Sequence, residues 1–554
     1  MPAFSAESGS QDSTTAMPGA YAIAAQQPAK CAIIGPQGDR VTFGELGQTV
    51  NRLANALVSL GLKPGDTVAS VQRNGISHFE VILAGTQAGL VVVPVNTHLT
   101  PAEAGYIISD CGARAVIATH DLAALLAPVQ DALPEHRFAV GSGFPGGGRG
   151  LPDPGPGGER GAEPPFAGRS TGGSSPRGYW RDYGALRESG SPEPPAERIA
   201  GTVMGYTSGT SGRPKGVRRN VPPVEPELVI NGILPFLARF GFRPYEGVHL
   251  VCAPLYHAAP LTFSLNLLHM GHTLVVHERF DATAVLAAIE EHRVTSTQIV
   301  PTHVHRLLGL PAEVKAARDT SSLEIVLVAG APFPVHEKQE LLDWLGPVVW
   351  EYLAATEGVS SVVSPQEAIG HPGTVGHPMP GMVVLLDDDG NEVPPGEAGT
   401  IWFQTGLARF EYHGDPEKTA QAVREDGLAT VGDIGRLDSD GYLYLLDRRS
   451  DLIISGGVNV YPAEVEQRLL THPAVADAAV IGLPDPDWGA SVTAIVELRD
   501  GYEGSDALAA NLDKHCAAEL ARQKCPRRYE FRAELPRTPT GKLLRRKLRD
   551  ELAG

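Results

Sequence analysis

Short apolar runs that read as strands recur along this chain, such as Val91 to Val95 and Ile325 to Ala329, and Val248 to Ala253, Thr273 to His277 and Val294 to Val300 read as further strands. Stretches with helical spacing, such as Ser77 to Gln87 and Ala282 to His292, alternate with them. A strand that is apolar on both faces must be covered on both, which a parallel sheet wrapped by crossover helices achieves. The pattern therefore predicts an α/β fold around a buried parallel sheet. At 554 residues the chain exceeds one ordinary core, so several domains or subdomains are expected. Its composition, 42% hydrophobic and 20% charged, supplies enough apolar surface to offset the entropy of ordering.

Ahead of the alternating region, Cys31 to Ile34 reads as the first strand, and Val41 to Leu60 as a helix with Thr42 as N-cap and Gly61 as its stop. Residues 1 to about 20 are small and polar and read as a disordered start, and the Gly/Pro-rich stretch 141–176 as a flexible surface insertion. A β-rich region runs from Gly373 to about Asp447. The remainder forms an alternation of its own: strands at Leu452 to Ser455, Ala478 to Leu483 and Val492 to Leu498, and helices after Pro462 and from Asp506 to about Arg522. The expected organisation is a large domain, 1–447, with several subdomains, and a small α+β domain, 448–554.

A net charge of −18 opposes binding to a phosphate backbone, and the basic cluster Arg545, Arg546, Lys547 and Arg549 reads as a solvated helix face. No nucleic-acid partner is expected. The five cysteines lack the paired spacing of a zinc site or a disulfide framework, which fits a reducing cytoplasm. No basic start with an apolar core opens the sequence, and no segment offers the roughly 20 apolar residues of a membrane span. A homodimer is compatible with all of this.

The string that carries most chemistry is Tyr206-Thr-Ser-Gly-Thr-Ser-Gly-Arg-Pro-Lys-Gly216. Gly209, Gly212 and Gly216 let the backbone turn where side chains would block a phosphate; Thr207, Ser208, Thr210 and Ser211 supply hydroxyls, and Lys215 supplies charge. It reads as an anion cradle. It is not a Walker A loop, which needs Lys between Gly and Ser/Thr at a helix start, whereas Lys215 precedes Gly216. No Gly-x-Ser-x-Gly nucleophile elbow occurs at a strand-to-helix turn either.

With this string the sequence resembles the adenylate-forming superfamily of acyl-CoA synthetases, peptide-synthetase adenylation domains and luciferases, and further segments agree in order and spacing. Ala329-Gly330-Ala331-Pro332 stands where the resemblance implies a turn beside adenine. Glu351-Tyr352-Leu353-Ala354-Ala355-Thr356-Glu357-Gly358 follows; it implies Thr356 as a phosphate ligand and Glu357 as the Mg²⁺ ligand, with Tyr352 and Leu353 against the nucleotide. Asp433, with Arg448 after Asp447, matches the ribose grip, and the segment from Arg448 to Pro462 matches the interdomain hinge, at Ser450, and the glycines Gly456 and Gly457. Pro539-Thr-Gly-Lys542 matches the loop of the catalytic lysine.

Three positions depart from many relatives: Leu353 replaces an aromatic ring that would stack on adenine, Ser450 replaces a charged hinge residue, and Val359 stands where a glycine would widen an acyl tunnel. His257, in Pro254-Leu-Tyr-His257, aligns with the border of the acyl pocket and is a candidate gate or a structural histidine; the sequence leaves both open. The resemblance implies an ATP- and Mg²⁺-dependent enzyme that activates a small carboxylic acid as its adenylate and passes the acyl group to coenzyme A. The other readings are a different acceptor (a carrier-protein thiol, an amine, or nitrite chemistry) and a non-catalytic nucleotide-binding protein.

Overall fold

The computed structural model describes residues 19–141, 180–207, 214–379, 381–405, 409–537 and 543–553. The 141–176 stretch therefore lies outside the described residues apart from Gly141, as do 208–213 and 538–542.

Two largely parallel sheets carry the large domain. One has six strands, all parallel, in the order Arg181–Asp182, His136–Val140, Ala113–Thr119, Thr67–Val71, Val91–Pro94, Thr202–Val203. The other has eight, with a parallel interior running from Val349–Ala355 through Ile325–Val328, Ser296–Ile299, Val248–Val251 and Thr273–Val276 to Cys31–Ile34. An antiparallel strand closes each of its edges, Gly358–Val363 at one and Arg40–Thr42 at the other. The apolar runs supply the inner strands as expected: every residue of Thr67–Val71, Val91–Pro94 and Ile325–Val328 is buried. Helices such as Ile76–Gln87 and Ala282–His292 cover them.

Local signals hold where the chemistry is local. Helix Phe43–Ser59 starts from Thr42, whose hydroxyl accepts from the Glu45 amide while the Glu45 carboxylate accepts from the Thr42 amide, and Gly61 follows it at φ +86°. Its stripe of Leu46, Val50, Leu53 and Leu57 is buried in the core shared with the first sheet.

Two smaller sheets complete the large domain. A five-stranded antiparallel sheet joins Val383–Leu386, Ala398–Gln404, Asp433–Leu437 and Leu443–Arg448, with Leu428–Ala429 beside the second of these. A three-stranded sheet places Lys215–Arg219 between Gly205–Thr207 and Phe410–Tyr412.

After Arg448 the chain builds a separate α+β unit. The hairpin Ile453–Ser455/Val458–Val460 precedes the sheet Val475–Asp485, Gly489–Leu498, Arg528–Arg532, packed by helices Pro462–Leu470, Asp506–Ala517 and Arg545–Ala553. The helix expected to reach Arg522 ends at Ala517. A short 3₁₀ turn, Arg522–Lys524, then leads past Pro526 into Arg528–Arg532, which joins the sheet edge in parallel. The basic C-terminal helix is also not a plain solvated face. Leu548 is fully buried, Arg545 pairs with Glu466 at 2.6 Å and with Asp451 at 3.3 Å, and Arg549 pairs with Asp451 at 3.2 Å. Burial works against the charge on Arg545, but Glu466 outweighs it and the guanidinium is held firmly protonated.

Candidate active site

The two flanks of the anion-cradle string, Gly205–Thr207 and Lys215–Arg219, pair antiparallel with Thr207 opposite Lys215. Ser208, Gly209, Thr210, Ser211 and Gly212 lie outside the described residues. Lys215 forms an ion pair with Asp415, which N-caps helix Pro416–Ala422 by accepting from the Lys418 amide at 3.0 Å. That hydrogen bond from Lys215 holds the Asp415 carboxyl below the usual range.

Thr356 and Glu357 are not at a helix start. They form the two-residue connection between Val349–Ala355 and Gly358–Val363, where Ala355 pairs with Gly358. Glu357 is 6% exposed, and one of its carboxylate oxygens accepts from the Tyr412 hydroxyl at 2.8 Å. Burial, and then the Glu357 charge, push the tyrosine hydroxyl well above its ordinary pKa, so it stays a donor. Lys418 adds a second cation: its ammonium stands 4.3 Å from the centre of the Tyr412 ring, with burial and neighbouring Lys215 lowering its pKa. Sequence reasoning missed Tyr412, Asp415 and Lys418. The Asp415-Pro416 pair, a usual helix opening, is the signal that could have drawn attention to that segment.

The turn at Gly330, Ala331 and Pro332 follows the buried strand Ile325–Val328, with Gly330 at φ +94°, a conformation a side chain would strain. Tyr352 is buried, its ring 5.3 Å from Phe263 and 6.2 Å from Phe240, so any nucleotide contact it makes comes from the main chain. Leu353, one residue on, points to the other face and packs against the core around Phe403 and Phe410.

Asp433 opens Asp433–Leu437 directly opposite Arg448 at the end of Leu443–Arg448, and the two side chains meet at 3.1 Å. Asp433 is buried while Arg448 is half exposed. Asp447 points the other way and accepts from the Arg448 amide at 2.7 Å and the Ala463 amide at 2.8 Å, linking the five-stranded sheet to helix Pro462–Leu470. Burial raises its pKa against the opposing charge of Arg545. Ser450 lies in the turn after Arg448, its carbonyl 3.5 Å from an Arg549 nitrogen.

Gly456 and Gly457 form the turn of the hairpin Ile453–Ser455/Val458–Val460, at φ +58° and +80°, the backbone that a tight hairpin turn demands. A Cβ on Gly456 would meet the Trp488 ring at 2.5 Å; around Gly457 there is open space. His257 occupies the N-cap position of helix Ala258–His269 without a side-chain cap hydrogen bond, its ring centre 4.5 Å from that of Tyr256, and its Nε2 is buried with no hydrogen-bond partner among the described residues. Burial, aided by His98, pushes its pKa down to about 4, so it is neutral at physiological pH. The Val359 side chain and Lys542 lie outside the described residues.

Among the described residues no group of three or more His, Cys, Asp and Glu side chains could hold a metal ion. Glu357, with one carboxylate oxygen bonded to Tyr412, fits a hard divalent cation held by one carboxylate, phosphate oxygens and water.

The chain matches the AMP-binding enzymes over most of its length. That family's model matches residues 21–408, and the model of the AMP-binding enzyme C-terminal domain matches 464–542. The chain belongs to this family, and the adenylate-forming resemblance stands. It is similar to a fatty acid–[acyl-carrier-protein] ligase, ScoC, of Streptomyces coeruleorubidus, at 31% identity over 94% of this chain and 93% of the relative. It is also similar to a feruloyl-CoA synthase of an Amycolatopsis species, at 34% identity over 92% and 94%. Among solved structures, the amide bond synthetase McbA from Marinactinospora thermotolerans superposes with a TM-score of 0.76 at 27% identity, covering 96% of this chain and 99% of that one. The family is that of ATP-using ligases with a large N-terminal and a small C-terminal domain, and its CoA-ligase members use ATP, Mg²⁺ and CoA. No helix among the described residues is long and apolar enough to cross a membrane.

Proposed function

We propose that this protein activates a small carboxylic acid with ATP as an acyl-adenylate and transfers the acyl group to the thiol of coenzyme A. The observation that carries the reading is the convergence on one small sheet. Lys215 and Tyr412 lie on neighbouring strands, and Tyr412 reaches across to the buried Glu357. The Lys215 strand and the Glu357 carboxylate are thereby held relative to each other before substrate arrives, which supports a site that lowers the cost of bringing two anions together.

In this reading a carboxylate oxygen attacks the α-phosphorus of ATP and pyrophosphate leaves. Thr207, Ser208, Gly209, Thr210, Ser211 and Gly212 cradle the phosphates, Thr356 holds a phosphate oxygen, and Asp433 with Arg448 grips the ribose. Mg²⁺ held by Glu357 would supply positive charge at the departing pyrophosphate. Gly330, Ala331 and Pro332, with the backbone of Tyr352 and the side chain of Leu353, border the adenine. Lys542 neutralises charge as the α-phosphorus becomes five-coordinate. The unit 448–554 then turns about Ser450 and presents Gly456 and Gly457 to the pantetheine arm, and the thiolate displaces AMP. His257 and Val359 border the acyl chain.

The relatives include a carrier-protein ligase and an amide synthetase, so a second acceptor class, a carrier thiol or an amine, is the competing reading. The same proposal places the protein in a reducing cytoplasm, which its five unpaired cysteines support, and admits a homodimer, which light scattering tests. Pyrophosphate release measured across short, medium, long and aromatic acids, with and without CoA, decides the function. Acid-dependent release with thioester formation supports it. Release that yields product only with an amine or a carrier protein transfers the assignment to that acceptor.

A further inference from the structure

Side chains alternate along Lys215–Arg219, which places Lys215, Val217 and Arg219 on one face of the three-stranded sheet. Directly opposite residues share a face, so Tyr412, paired with Val217, and Phe410, paired with Arg219, belong to it too. This face lies against the Thr356-Glu357 connection. The Arg219 guanidinium donates to the Thr356 carbonyl at 2.9 Å, beside the Tyr412 hydroxyl that donates to Glu357 at 2.8 Å. The turn is held at its backbone and at its carboxylate, by adjacent strands, from the same side.

The turn needs that hold. Two-residue hairpin connections are favoured when one or both central residues have positive φ, because only then does the turn's twist match that of the strands. Neither Thr356 nor Glu357 does, since the described non-glycine residues with positive φ are Tyr245 and Arg293. The ladder is irregular as well, with a register shift between Leu353 and Ala354. Left to its own strands this connection is splayed, and a side chain 137 residues earlier in the chain fastens it. Using a guanidinium has a cost, because burial lowers the pKa of Arg219; the nearby Glu357 charge opposes that shift.

We propose that Arg219 is a positioning residue for nucleotide activation: by holding the Thr356 carbonyl it fixes the Thr356 hydroxyl and the Glu357 carboxylate where the metal-bound phosphates meet them. The inference rests on the adenylation reading above. The adjacent Arg218 points to the opposite face, so it serves as the matched control.

The test compares Arg219→Met, Arg219→Lys and Arg218→Met in the full-length protein. It uses an acid the wild type accepts and reads pyrophosphate release against Mg-ATP and against acid, Mg-ATP binding by calorimetry, and Tm. Misplacing groups that hold a metal ligand commonly costs about 10–100-fold. Arg219→Met is expected to lose that much in kcat/KM for Mg-ATP, with a smaller change in KM for the acid; Arg219→Lys, which keeps one donor, recovers part of it, and Arg218→Met behaves as wild type. The proposal is overturned if Arg219→Met stays within twofold of wild type for Mg-ATP, or if its kinetic losses are shared equally by both substrates and follow Tm. Should Arg219→Met not fold, Arg219→Lys decides by the same criteria. If the wild type releases no pyrophosphate with any acid, the adenylation reading fails instead, and Mg-ATP binding by the variants still shows whether Arg219 positions the turn.

Discussion

Replacing Tyr412 by Phe removes one hydroxyl, the donor to Glu357 at 2.8 Å, in a place where the glutamate is only 6% exposed. A hydrogen bond to a charged group contributes about 1.5–3 kcal/mol, and here its loss leaves a buried carboxylate oxygen without its donor. At about 1.4 kcal/mol per tenfold, this corresponds to roughly 10–150-fold in an equilibrium involving that carboxylate. The phenylalanine ring still packs beside Phe410 and beneath the Lys418 ammonium, so the sheet itself is expected to survive. If Glu357 presents its other oxygen to Mg²⁺, the loss appears in metal use: half-saturation by free Mg²⁺ in pyrophosphate release rises about tenfold or more, with a smaller fall in kcat at saturating metal. Glu357→Gln gives the larger defect, because the amide keeps the shape and loses the charge. In the double variant, Tyr412→Phe adds little to Glu357→Gln, since the two side chains act as one unit. Unchanged Mg²⁺ half-saturation in Tyr412→Phe, or simple additivity in the double variant, would refute the link between this hydroxyl and the metal.

Three further outcomes follow from particular side chains. His269 is buried, its Nδ1 accepts from the Ala20 amide at 3.1 Å, and burial pushes its pKa down to about 3. The unfolded chain takes up that proton below about pH 6.5 and the folded chain does not, so this contribution is complete above pH 6.5 and is lost as pH falls. Between pH 6.5, where the unfolded histidine is already half protonated, and pH 5 that amounts to about 1.6 kcal/mol, so urea titrations should show His269→Asn losing about that much less than wild type over the interval; equal losses contradict the assignment. Gly456→Ala places a Cβ at 2.5 Å from the Trp488 ring at φ +58°, and is expected to slow thioester formation from supplied acyl-adenylate while sparing pyrophosphate release; the reverse pattern removes this turn from the second half-reaction. Lys542→Ala is expected to lower pyrophosphate release by about 10²–10³ and to leave the reaction of acyl-adenylate with CoA largely intact; an equal fall in both steps contradicts a two-position lid.

What was legible in the sequence is what local chemistry dictates. The Thr42 cap with its Gly61 stop and the buried parallel strands each follow from residues within a few positions of one another. Strand ends were less legible, because apolar runs continue past the sheet: Cys252 and Ala253 are buried, yet the strand stops at Val251. The polar edge strand Arg528–Arg532 has no apolar run and takes its conformation from pairing with Gly489–Leu498. The residues that brace the candidate site were the least visible. Lys215 meets Asp415, and Arg219 meets Thr356, only after Lys215–Arg219 has paired with Phe410–Tyr412, a register set by tertiary packing across some 200 residues. Arg545 and Arg549 were misread for the same reason, since Asp451 and Glu466 lie far back in the chain, whereas Arg546 and Lys547 are exposed as expected.

The central claim is that a carboxylate oxygen bonds to the α-phosphorus of ATP, and the fate of that oxygen tests it most directly. An accepted acid carrying ¹⁸O in its carboxyl group is turned over with ATP, Mg²⁺ and CoA, and the nucleotide and phosphate products are weighed by mass spectrometry. The account predicts AMP carrying one ¹⁸O from the acid in each turnover, with unlabelled pyrophosphate. Label in inorganic phosphate with ADP as the nucleotide product, or thioester formed with unlabelled AMP, would contradict it.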